Sequence, residues 1–224
     1  MDAKYRLDYA GEFVVVDSVW SGGKKTERRE WIPNPIENQH ISGRAACIGS
    51  GIDFGSGVGK FDYTVLQRHR GGLLSSKKLQ TYGVGSIAQQ MRLDFAVETN
   101  RNNLAKLLDT SYPADNIVYT TGVNCVRYPG NFYIIPLAPR LLDIAIVVYL
   151  AAFDGHKEVF LLGYNDEVEV GNQFWVNQVA TVFSAYQGVQ FYLVGEPTRM
   201  YDIWLNCANV RVINYRDWIS YCDV

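Results

Sequence analysis

Residues 140–166, RLLDIAIVVYLAAFDGHKEVFLLGYND, decide the fold. A nearly all-apolar helix is expected over Arg140 to Phe153, its apolar positions running all the way round the axis instead of forming one stripe, the pattern of a helix buried on every side. Asp154-Gly155 supplies its stop. Glu158 to Gly163 is then a short apolar run, as in a strand covered on both faces. The same grammar repeats downstream. A helix is expected over Phe174 to Tyr186, a strand over Val189 to Val194, a short helix over Tyr201 to Ala208 and a strand over Val210 to Ile213. Strand and helix alternating at this spacing build parallel βαβ units with right-handed crossovers, and hence an open α/β sheet.

Upstream, Ala45-Ala46-Cys47-Ile48 is a buried strand that ends abruptly in Gly49-Ser50-Gly51. Further strands are expected at Phe61–Gln67, Leu79–Val84, Leu93–Val97 and Ile117–Tyr119, and a short helix at Asn103–Leu108. Before Arg44 the pattern differs. Glu12 to Trp20 and Arg28 to Ile32 flank Ser21-Gly22-Gly23-Lys24-Lys25 and read as a β-hairpin around a Gly-Gly turn, after which Pro33-Asn34-Pro35 breaks any regular element. The expected organisation is an N-terminal β-hairpin extension over residues 1–43, outside the winding. A Rossmann-like α/β domain over residues 44–224, with an open, mostly parallel sheet, follows it.

The 224 residues suit one domain, and 21 Lys and Arg against 23 Asp and Glu exclude a polyelectrolyte. An apolar content of 48% is enough for one large core and excludes collagen-like or disordered composition. Cys47, Cys125, Cys207 and Cys222 form no C-x-x-C pair, and His40, His69 and His156 lack metal-ligand spacing, so neither a redox motif nor a metal site is expected. His156, next to a strand, reads as structural. No cofactor is expected, and no G-x-S-x-G elbow is present. Met1 to Ala10 carries four charges and no apolar stretch of the secretory kind, which gives a cytoplasmic expectation. Phe132 to Phe153 is interrupted by Pro136, Pro139, Arg140 and Asp143, leaving too few uncharged residues to cross a bilayer.

In an open α/β sheet, ligands bind beyond the carboxyl ends of the strands, where the strand order reverses. The loops to inspect are therefore Gly49-Ser50-Gly51, Gln67-Arg68-His69-Arg70, Tyr82-Gly83, Thr120-Thr121-Gly122, Tyr164-Asn165-Asp166 and Gly195-Glu196-Pro197. Gly49 and Gly51 would let backbone N–H groups approach a phosphate, or simply make a tight turn. The third glycine of a dinucleotide fingerprint would fall at Phe54, and Gly59-Lys60 lacks the rest of a P-loop. Lys60, Arg68, His69, Arg70, Lys77 and Lys78 are the one basic concentration, suited either to a phosphate-bearing ligand or to a solvated rim of loop charges.

Several segments resemble, in order, the bacterial lipo-oligosaccharide sialyltransferases and their Rossmann-like relatives. Gly155 to Asp166 is similar to that family's G-[YF]-K-E-I-Y-L-x-G-x-D, with Arg140 at the matching distance upstream. Ala46 to Gly51 is similar to its first strand and G-N-G-P-S loop, and Phe61 to Val65 to the strand that follows. The resemblance implies a nucleotide-sugar ligand held by Gly49, Ser50, Gly51, Gln67, Arg140, Tyr164 and Asn165. Sugar transfer would need a general base near the acceptor hydroxyl, a role for Asp166 or His69. Ser50 stands where the family has an asparagine, and after Asp166 the chain passes from Glu167 to Gly171 directly into a helix. The expected function is a glycosyltransferase-like protein binding a nucleotide sugar, the alternative a non-catalytic nucleotide- or partner-binding protein of the same fold. A nucleic-acid role for residues 60–78 ranks below both because the net charge is −2.

Overall fold

Because the strand runs are apolar at successive positions, both faces of the sheet need cover, and the chain winds helices onto both. The structure, a computed structural model, describes residues 11–33, 43–49, 79–137, 139–164, 173–195 and 201–222. The strand expected at Phe61–Gln67 lies outside the described residues.

The hairpin is β1 (Gly11–Ser21) and β2 (Lys24–Pro33), antiparallel and forming a two-stranded sheet of its own. Gly22 and Gly23 both have positive φ (56° and 78°), the conformation of the tight two-residue turn that glycine allows. A register shift between Val15 and Asp17 puts a bulge in β1. The second strand begins at Lys24, four residues earlier than expected, because so tight a turn leaves Lys24 and Lys25 already in register with Ser21 and Trp20.

The main sheet contains β3 (Arg44–Ile48), β4 (Gln80–Val84), β5 (Phe95–Val97), β6 (Ile117–Thr120), β7 (Tyr133–Ile134), β8 (Glu158–Leu162), β9 (Gln190–Val194) and β10 (Val210–Ile213). Their order is β10-β9-β8-β3-β4-β5-β6-β7, with every neighbouring pair parallel. Among the described residues the helices are α1 (Gly85–Ala88), α2 (Arg101–Leu108), α3 (Tyr112–Asp115), α4 (Gly122–Arg127), α5 (Asp143–Phe153), α6 (Gln173–Ala185), α7 (Asp202–Leu205) and α8 (Tyr215–Cys222). Starting at β3, the chain winds outward to β7, returns through α5 to pair β8 against the other side of β3, and then winds away to β10. The order therefore reverses between β3 and β8.

Alternate residues of each strand divide the core in two. Ala45, Cys47, Tyr82, Phe95, Val159 and Leu161 pack with α5, α6 and Trp204 of α7. Ala46, Ile48, Ala96, Val118, Phe160 and Leu162 pack with α1, α2 and Trp218 of α8. Residues 145–153 of α5 are all buried, which accounts for its apolar circumference.

Helix α5 begins at Asp143, not at Arg140. Leu142 is extended and serves as N-cap, and its N–H donates to Gln178 Oε1 (2.8 Å) while Gln178 Nε2 donates to the Arg140 carbonyl (3.4 Å). A side chain of α6 thus holds the lead-in straight. The helix expected over Tyr201–Ala208 is one turn, followed by Asn209, whose Nδ2 lies within 3.1 Å of the carbonyls of Phe183, Tyr186 and Val189 and ties off α6. No helix among the described residues is long and apolar enough to cross a membrane.

Candidate functional site

The reversal between β3 and β8 puts the crevice of this sheet where Ile48 and Leu162 end. Gly49 N–H donates to the Leu162 carbonyl (2.8 Å), extending the ladder one residue past β3. There the two chains are too close for a side chain. A Cβ on Gly49 would lie 2.7 Å from the Gly163 carbonyl oxygen and 3.0 Å from the ring of Tyr164. Gly163 has φ 72°, so the chain leaves β8 through a left-handed turn. The two glycines let the ends of β3 and β8 close directly on each other, and Gly49 is buried.

Tyr164 packs against Gly49 from the core side. Its ring is buried edge-on to Trp175, and its hydroxyl donates to the Ile144 carbonyl in the first turn of α5 (3.0 Å). Burial, with the Cys47 thiol nearby, pushes its phenol well above the ordinary value, so it stays protonated. Tyr164 anchors α5, and its oxygen is occupied. Arg140 sits at the same end of the sheet, exposed, three residues before Asp143. Asp143 does not pair with it: its carboxylate accepts from Thr99 N–H (2.9 Å) and Thr99 Oγ1 (2.5 Å). Of the expected site residues, Gly49, Tyr164 and Arg140 are thus on the carboxyl edge, the first two in contact. Ser50, Gly51, Gln67, His69, Asn165 and Asp166 lie outside the described residues.

A second polar cluster on this edge was not singled out from the sequence. Glu98 follows β5 and is buried, its oxygens accepting from Asn100 N–H (2.8 Å) and Asn103 Nδ2 (3.2 Å). Desolvation is the main reason its carboxyl is held above the ordinary range, reinforced by the charge of Asp143 and opposed by those two hydrogen bonds. Asn124 donates to the Thr99 carbonyl and to Thr120 Oγ1 (both 3.0 Å). The Thr120-Thr121-Gly122 loop is used as a helix start, with Thr121 Oγ1 accepting from Asn124 N–H at 3.4 Å. The available signal was that Glu98-Thr99-Asn100 directly follows an apolar run, as ligand loops do.

His156 falls on the opposite, amino edge. It is fully buried with Nε2 3.0 Å from the Tyr82 hydroxyl, which donates to Asp154. This group closes the end of α5 onto β4, as the structural expectation for His156 requires. Among the described residues there is no cluster of His, Cys, Asp and Glu able to hold a metal ion. Compared with known protein families, curated proteins and solved structures, the chain matches none.

Proposed function

We propose that this chain binds a nucleotide or nucleotide sugar in the crevice between β3 and β8, as a glycosyltransferase-like protein. The observation that carries the reading is the reversal of strand order at β3/β8 with Gly49 and Gly163 at the two strand ends. In doubly wound sheets this is where phosphorylated ligands lie, because side-chain-free backbone lets a pyrophosphate approach. In this reading Ser50 and Gly51 supply the backbone donors to the phosphates, the Gly49 N–H being already bonded to the Leu162 carbonyl, and Arg140 adds a bidentate, charge-assisted contact. Gln67, Tyr164 and Asn165 shape the nucleoside end. Asp166 or His69 takes the acceptor proton, and the sugar passes to that oxygen as the nucleotide leaves.

The alternative, a binding protein without transfer, is favoured by the sequence after Asp166, where Glu167 to Gly171 lead directly into a helix and His156 is the last histidine. A thermal-shift screen against nucleotides and nucleotide sugars tests binding, since a ligand at 100 times its Kd adds about 2.7 kcal/mol of stability. Gly51→Val and Arg140→Ala should each abolish that shift while keeping the unliganded melting point. A screen with no shift, or a shift that both variants retain, removes the reading. Sugar release from a bound nucleotide sugar separates enzyme from binding protein.

A further inference from the structure

We propose that the tip of the β1–β2 hairpin inserts into the interface of a membrane that carries anionic lipid. Just below the Gly22-Gly23 turn, Trp20 is 71% exposed and Val19 57% exposed. Trp20 is in register with Lys25 and Val19 with Thr26, and neighbours along a strand point to opposite faces of the ribbon. A protein lying on one face of the hairpin would cover one of these side chains and leave the other in water. A fluid medium that surrounds the tip covers both. Tryptophan is the side chain that membrane interfaces favour most, with its ring among the headgroups.

The charge at the tip selects the lipid. Residues 17–28 carry Lys24, Lys25 and Arg28 against Asp17 and Glu27, and Asp17 stands opposite Arg28 in the register. Glu27 Oε1 accepts from Lys25 Nζ at 2.8 Å, so the cation left beside the turn is Lys24. Lys24 adjoins the turn and is exposed. Anionic headgroups attract each such cation when the tip is seated. A nucleic-acid backbone fits less well, since so few cations neutralise few phosphates and the aliphatic Val19 has nothing to cover it there. The chain is not anchored through a spanning helix in this proposal; contact is peripheral and reversible.

The test is co-sedimentation of the full chain with vesicles of phosphatidylcholine alone and of phosphatidylcholine mixed with phosphatidylserine, beside binding of single-stranded and duplex oligonucleotides. Partitioning onto the phosphatidylserine vesicles is expected, lowered at least about tenfold by Trp20→Ser and about fivefold by Lys24→Gln. These side chains are exposed, so both variants should melt like the parent chain, and melting curves check this. Failure to sediment with phosphatidylserine vesicles overturns the proposal, as does sedimentation that Trp20→Ser leaves unchanged. Trp20-dependent binding to an oligonucleotide without vesicle binding also overturns it and assigns the tip to nucleic acid.

Discussion

Replacing Gly49 by Ala puts a methyl group where the ends of β3 and β8 leave no room for one. Its Cβ would stand 2.7 Å from the Gly163 carbonyl oxygen and 3.0 and 3.1 Å from two ring carbons of Tyr164. Neither neighbour is free to swing aside. The oxygen is backbone in a left-handed turn, and the ring is pinned by its bond to Ile144 and its contacts with Trp175 and Trp204. Relief requires the two strand ends to separate by a few tenths of an ångström, which stretches the 2.8 Å bond from Gly49 to Leu162. Overpacking of this kind costs about 1–3 kcal/mol. Alanine also restricts the unfolded chain, which returns about 0.4–1 kcal/mol. The net loss is about 1–2 kcal/mol, and in a chain of this length each kcal/mol moves the melting point by about 2–4 °C. Gly188→Ala is the control: its Cβ meets nothing within 4 Å and its φ is not in the left-handed region, so the unfolded-state gain alone remains. Thermal melting followed by circular dichroism, with urea titration to confirm an unchanged m-value, reads both variants. If Gly49→Ala melts at or above the parent temperature, the close approach at the crevice is wrong.

Ile146 is buried in the middle of α5, so Ile146→Asp leaves an uncompensated carboxylate in the core at a cost of about 3–5 kcal/mol; a parent-like melting point in that variant would contradict the burial. Burial, then Asp143, raises the Glu98 carboxyl, so the folded chain holds that proton more tightly than the unfolded chain. Its contribution to stability is full below the ordinary carboxylate value and falls as pH rises through the raised value. Glu98→Gln should flatten this decline in urea midpoints measured across that range, and an identical profile would refute the assignment. Burial pushes the Cys47 thiol well above its ordinary value and Cys125 up to about 11, while Cys207 is only partly buried. In a Cys222→Ser chain a thiol reagent should therefore label Cys207 first, and mass spectrometry showing Cys47 labelled before unfolding would count against the packing of β3.

What local pattern could determine about this protein, it determined well. The all-round apolar run of α5, the short apolar runs of β3 and β8, and the Gly-Gly turn of the hairpin each depend on periodicity or on the conformational freedom of neighbouring residues. All are present, and the winding class follows from their alternation. Element ends were less legible where a distant side chain sets them, as Gln178 does for the start of α5 and Asn209 for the end of α6. The two-residue strand β7 has too few residues to carry a period, and it exists because β6 offers an edge to pair with. Strand order belongs to tertiary structure altogether. Nothing near Cys47 in the chain says that it lies between Tyr82 on one side and Leu161 on the other. That pairing makes Gly49 a point of contact with Gly163 and brings Asp143 onto Thr99 across 44 residues. Hydrogen bonds between strands carry no sequence label, so the crevice at β3/β8 and the buried setting of Glu98 were decided by which edges met, through contacts that local pattern does not encode.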